Sequence, residues 1–152
     1  MSKAKIYLKA IFIPLIVGGV FGFLSSSSTV YSSLIKPFFS PPAVVFPIVW
    51  TILYILMGIS YGILDSKGLI NYKINKTYYL QLIVNALWSF FFFTLGWRFF
   101  AFLWIILLFL LIISMIDKFY RKNKTAGLLQ IPYALWVVFA AVLNFSIFLL
   151  NR

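Results

Sequence analysis

From Tyr78 to Ile116 the chain runs almost unbroken through apolar residues. As a single helix rising about 1.5 Å per residue this stretch would reach about 58 Å, nearly twice the hydrocarbon thickness of a bilayer. It therefore has to turn back once. Gly96-Trp97-Arg98 supplies the turn: a glycine for the bend, an indole for the membrane interface and a charge for the water. Residues 77–95 and 99–119 are read as two successive membrane helices. Residues 6–24, 43–64 and 126–150 are apolar over comparable lengths. The second of these starts behind Pro41-Pro42, which cannot continue a helix but can stand at the front of one. In the last, Pro132 marks either a kink or a late start. The lysines ahead of the first segment would suit a signal peptide. Ser25–Ser28 offers no small-x-small cleavage site, however, and the segment is retained as a helix. The expected fold is all-α: an integral membrane bundle of five transmembrane helices, forming one domain over residues 1–152.

The charges test this threading. Five crossings put Lys3, Lys5, Lys9, Lys67, Lys73, Lys76, Lys118, Arg121, Lys122 and Lys124 on the side of the N-terminus. Only Lys36, Arg98 and Arg152 fall on the other side. Basic residues favour cytoplasmic loops, so this bias predicts a cytoplasmic N-terminus and an external C-terminus. Fusing the third and fourth helices would scatter the basic loops over both faces. The same bias accounts for the net charge of +11 without nucleic acid as a partner.

With 64% apolar residues, 10% charged residues and a mean hydropathy of +1.06, the chain has no composition left for a separate soluble domain. Cysteine and histidine are absent, and Asp65 and Asp117 are the sole acidic residues, both at the expected cytoplasmic helix ends. Disulfides, thiol nucleophiles, histidine relays and the usual metal sites are thereby excluded, and no carboxylate lies at mid-membrane depth for acid–base work. No metal and no resident cofactor is expected. The interior offers aromatics, 21% of the chain, and a few neutral polar groups. Phe46, Trp50, Tyr54, Met57 and Tyr61 share one helical stripe; so do Gln81, Asn85, Trp88 and Phe92, and so do Pro132, Trp136, Ala140, Leu143 and Asn144. Such stripes serve either helix packing with interfacial belts or a pocket for a large, flat, apolar ligand held by a few hydrogen bonds.

Residues 25–42 form a long loop on the sparsely charged side. Its prolines stiffen it, its aromatics give it something to bury, and Ser25–Ser28 reads as a hinge. It is either a lid or an ordinary connector. Gly18-x-x-x-Gly22 and Gly58-x-x-x-Gly62 let another backbone approach closely, within the bundle or across a dimer. The halves show no internal repeat, which argues against inverted-repeat transporters.

The string from Tyr31 through Leu34, Lys36-Pro37, Pro41-Pro42, Val49-Trp50, Leu53-Tyr54 and Met57-Gly58 resembles the signature of the TspO/MBR family, the tryptophan-rich sensory proteins related to the mitochondrial translocator protein. Asn85-Ala-Leu-Trp88 through Phe93 is similar to the family's third helix, and Pro132-Tyr133 through Asn144 to its fifth. The resemblance implies a five-helix bundle, usually a homodimer, in a bacterial cell membrane. It implies a receptor for porphyrins such as protoporphyrin IX and for isoquinoline carboxamide and benzodiazepine drugs. It also implies a pocket lined by Trp50, Tyr54, Asn85, Trp88, Phe92, Trp136, Phe139, Ala140 and Leu143, with Tyr31, Leu34 and Pro41 of the lid loop above it. Light-dependent porphyrin degradation, reported for some members, would place Trp50 and Trp136 as electron donors or radical scavengers beside the bound ring, with Lys36 near its carboxylates. The alternative function is a tetrapyrrole or sterol transporter. The chain departs from the family pattern at Val30, where a tryptophan is usual, at Trp104, where an acidic residue is common, and at Phe145, which breaks the sterol-recognition pattern.

Overall fold

A computed structural model describes residues 2–26 and 30–152. The described residues form helices α1 (Lys3–Ser26), α2 (Val30–Ser33), α3 (Val45–Ser66), α4 (Tyr72–Ser89), α5 (Arg98–Lys122), α6 (Lys124–Leu128) and α7 (Ile131–Leu150). α4 continues into a π-helical turn, Phe90–Thr94. No strand occurs among the described residues.

The helices overrun the apolar segments that predict them. α1 starts at residue 3 instead of 6 and ends at 26 instead of 24, so Ser25 and Ser26 close a helix where a hinge was expected. Ser27 and Ser28 lie outside the described residues. α4 starts at residue 72 instead of 77, because the Asn71 side chain accepts the Ile74 amide at 2.9 Å and caps the helix in its polar lead-in. α3 runs over 45–66 instead of 43–64. It ends in a Schellman turn: Gly68, at φ +67°, donates to Asp65 O and Leu69 donates to Leu64 O at 2.9 Å. α5 reaches residue 122 instead of 119, and Asn123 caps α6 by accepting the Ala126 amide at 3.0 Å. The expected helix over 126–150 is therefore broken, and Pro132 marks the late start of α7 rather than a kink. The bend at Gly96 is present, with φ +68° and Trp97 N bonded to Phe91 O at 2.9 Å.

Among the described residues, four helical stretches are long and apolar enough to cross a membrane: 3–24, 45–66, 98–122 and 124–150. α4 is not among them, because Lys73, Lys76, Gln81 and Asn85 dilute its apolar run. Rows of large apolar side chains, among them Phe12, Ile16, Leu103, Leu110, Leu135 and Val142, face outward. Such faces are incompatible with water over this extent, and the chain is an integral membrane protein.

α5 contributes a continuous buried stripe, Ala101, Ile105, Leu108, Ile112, Met115 and Phe119, against which α4 and α7 pack. α1 lies closely on α3, where Gly58 faces the backbone of Ala10 and Ile11, and Gly62 faces the Tyr7 ring. The Gly58-x-x-x-Gly62 pair is therefore used within the chain. The backbone of α7 stands off from α3 and α4, and large side chains fill the gap.

Candidate functional site

A cavity of about 530 Å³ lies between α1, α3, α4 and the α2 region, within the range of small-molecule sites. Trp50 and Tyr54 of α3 stack at 5.7 Å along one wall, an arrangement their four-residue spacing dictates. Asn85, Trp88 and Ser89 of α4 form a second wall, which meets the first at the Tyr54–Asn85 hydrogen bond and is completed by Phe93 of the π turn. The extra residue of a π turn shifts the register of the residues beyond it, and here Phe92 points inward to stack on Trp88 at 5.4 Å while Phe93 reaches Tyr31 at 6.0 Å. Gly18, Gly19 and Gly22 of α1 leave the third side thin, and the Tyr54 ring occupies the space beside Gly18.

Of the residues expected at the site, Tyr31, Trp50, Tyr54, Asn85 and Trp88 line this cavity. Phe92, Ala140 and Leu143 do not. They border a second, small space of about 10 Å³, room for about one water molecule. Tyr31, Phe46, Trp88 and Phe93 line both spaces and so form the partition between them. Trp136 and Phe139 lie on the α7 side in an aromatic cluster: Trp136 meets Phe46 at 6.0 Å and Trp50 at 6.4 Å, and Phe139 meets Phe39 of the loop at 6.2 Å. Leu34 is buried in the core, and Pro41 serves through its carbonyl.

The polar groups are neutral and mostly paired. Tyr54 donates to Asn85 Oδ1 at 2.8 Å, Asn85 Nδ2 donates to the Tyr133 hydroxyl at 2.6 Å, and Tyr133 donates to Gln81 Oε1 at 2.8 Å. Gln81 Nε2 ends the ladder on Met57 Sδ at 3.4 Å. Trp88 Nε1 donates to Asn144 Oδ1 at 3.0 Å, and Trp104 Nε1 to Val84 O at 2.7 Å. Trp136 Nε1 is different: it is buried and has no hydrogen-bond partner. A desolvated N–H left unpaired costs about 1–3 kcal/mol, which a ligand acceptor would offset.

Over the site, residues 31–41 close on themselves. The Tyr31 hydroxyl donates to Pro41 O at 3.0 Å and lies 2.6 Å from the Ser40 hydroxyl. Burial holds this phenol above its ordinary pKa, against the opposing pull of the Ser40 bond. The Lys36 ammonium donates to Tyr31 O and Leu34 O at 3.0 and 3.1 Å and sits over the Tyr31 ring. It is turned into the loop rather than toward the cavity.

Reading single helices missed the α1 wall, the buried Tyr133 and the π turn. The small residues at 18, 19 and 22 were the available signal for the first; the π turn had none.

The model of the TspO/MBR family matches residues 10–150 of the chain. The Tryptophan-rich protein TspO of Archaeoglobus fulgidus is 40% identical over 134 residues, covering 88% of this chain and 87% of that one. The protein of the same name from Chlorobaculum tepidum is 38% identical, covering 82% and 81%. Protein CrtK of Rhodobacter capsulatus is 34% identical, covering 92% and 89%.

Proposed function

Because the chain belongs to the TspO/MBR family, we propose that it is a membrane receptor that encloses protoporphyrin IX, or a planar apolar drug of the isoquinoline carboxamide or benzodiazepine type, beside Trp50, Tyr54, Asn85 and Trp88. The observation that carries this reading is the cavity of about 530 Å³ walled by stacked aromatics and one amide, with no charge inside. Apolar burial and ring stacking supply most of the affinity, and Asn85 orients the ligand. Trp136 lies one aromatic layer behind Trp50 and offers its unpaired N–H to a ligand that reaches past the partition.

In this reading α4 with its π turn, residues 72–94, is the fifth crossing. At ~1.5 Å per residue its 23 residues reach about 34 Å. Its polar side chains Gln81 and Asn85 are buried against other helices, not lipid. With five crossings, the excess of basic residues on the N-terminal side favours a cytoplasmic N-terminus in a bacterial cell and an outward-facing loop over residues 31–41. The homodimer implied by the family resemblance has to use a face other than Gly58 and Gly62, which α1 covers.

The test is a titration of purified protein with protoporphyrin IX, following tryptophan quenching in the dark and product formation under light. Saturable quenching is expected, and its loss in Trp50→Phe with Trp88→Phe would locate it. Absence of saturable quenching in the wild type overturns the reading. If light-driven breakdown occurs, Trp50→Phe and Trp136→Phe should slow it at equal occupancy. Equal rates would remove the indoles from the chemistry and leave a receptor.

A further inference from the structure

The loop over residues 31–41 is tied to itself by the Tyr31, Lys36, Leu34 and Ser40 hydrogen bonds. It is carried onto the helical bundle by a residue that sequence reading did not single out. Asn151, at the C-terminal end of α7, accepts the Ile35 amide on Oδ1 at 3.0 Å and donates from Nδ2 to Ile35 O at 2.8 Å. The second Nδ2 hydrogen serves Ile147 O, also at 2.8 Å, capping the helix. All of the amide's donors are used, and both polar atoms of one loop residue are gripped by one side chain. A carboxamide is required for this grip, because it presents a donor and an acceptor side by side. A carboxylate would face the Ile35 and Ile147 carbonyls with lone pairs. Phe39 against Phe139 adds a second contact between loop and α7.

Tyr31, in this same loop, belongs to the partition between the 530 Å³ cavity and the small space beside Phe92, Ala140 and Leu143. A self-tied loop moves as a unit, so releasing Ile35 frees the loop to carry Tyr31 out of the partition. We propose that Asn151 is the positioning residue that latches this loop, and that its grip on Ile35 sets how often the two spaces join into one site reaching α7. The proposal rests on the reading of the cavity as the ligand site. It adds that access for a broad planar ligand is controlled from the far end of the chain.

The chain has no cysteine, so single labels can be placed cleanly. Spin labels at Phe38, fully exposed in the loop, and Leu103, on the outer face of α5, report the loop position without any ligand. In nanodiscs, Asn151→Ala, which removes both hydrogen bonds to Ile35, is expected to raise the fraction of long distances about tenfold, and Asn151→Asp, which keeps the bond from Ile35 N but sets a carboxylate against Ile35 O, to raise it in the same direction. If the variants melt at lower temperature while the distances stay as in the wild type, Asn151 merely caps α7 and the proposal is overturned. A second arm uses Ile35→Cys/Asn151→Cys. Oxidation should slow protoporphyrin uptake at least tenfold, and reductant should restore it. Equal uptake in both redox states also overturns the latch. If the reduced protein takes up no protoporphyrin at all, the ligand reading fails, and the label distances alone decide the latch.

Discussion

Gly58→Ala tests the close backbone contact between α3 and α1. A Cβ at position 58 would meet the Ile11 Cα, with Ala10 O at 2.7 Å and Ile11 N at 2.9 Å. Ordinary contact begins at 3.4 Å, so the shortfall against Ala10 O is 3.4 − 2.7 = 0.7 Å. All three atoms are backbone of α1, and no rotamer change can relieve them. α1 must move off α3, and a gap of that order forfeits about a quarter to a half of each dispersion contact along the seam. Overpacking of this kind costs about 1–3 kcal/mol, and rigid backbone neighbours put it at the upper end. The helix propensity gained on replacing glycine returns about 1 kcal/mol, leaving a net loss of about 2 kcal/mol, or about thirtyfold in the folded ratio. Gly22→Ala is the matched control: it alters the other glycine pair, and nothing lies within 4 Å of its added carbon. Reversible denaturation in detergent micelles should separate the two variants, with Gly22→Ala at or slightly above the wild type. Equal stability of Gly58→Ala and wild type would refute the packing argument.

Gly18→Ala would push on the Tyr54 ring, a side chain that can swing, so a stability loss of only about 1 kcal/mol is expected. Protoporphyrin affinity should nevertheless fall at least about tenfold, since the displaced ring narrows the cavity and leaves Asn85; quenching titration checks it. Asn85→Ala strands the Tyr54 hydroxyl and removes the donor to Tyr133, a loss of about 2 kcal/mol that Tyr54→Phe in the same chain should partly reverse in a double-mutant cycle. Lys36→Ala should weaken protoporphyrin and its uncharged dimethyl ester by the same few-fold factor, because the ammonium holds the loop. A loss confined to the free acid would place Lys36 on the ligand's carboxylates instead.

The stripes on α3 and α4 were legible because aromatic and amide side chains recur on each of those helices every three or four residues. Trp50, Tyr54, Asn85 and Trp88 consequently fell where spacing put them. α1 is apolar on every side, so hydropathy does not distinguish the face that closes the cavity from the face that meets lipid, and only the small residues Gly18, Gly19 and Gly22 mark it. On α7 the expected stripe shares Ala140 and Asn144 with the most deeply buried line, which runs on through Tyr133, Val137 and Ile147, whereas Trp136 is only partly buried. The register of that helix depends on its packing against α5. The end of the apolar run was a poor guide to helix ends, because capping by Asn71 and Asn123 acts on backbone groups irrespective of side-chain hydropathy.

Transfer between water and hydrocarbon is a property of each segment taken alone. The sequence by itself therefore determined that this chain is helical, lies in a membrane, bends at Gly96 and keeps its interior free of charge. Which groups meet is decided by helix crossings between residues far apart in the chain, where shape and hydrogen-bond geometry select one arrangement among many of similar hydropathy. Tertiary structure alone placed the cavity on the α1 side, raised the Tyr31–Phe46 partition, joined Asn85 to Tyr133 and set Asn151 on Ile35, 116 residues away.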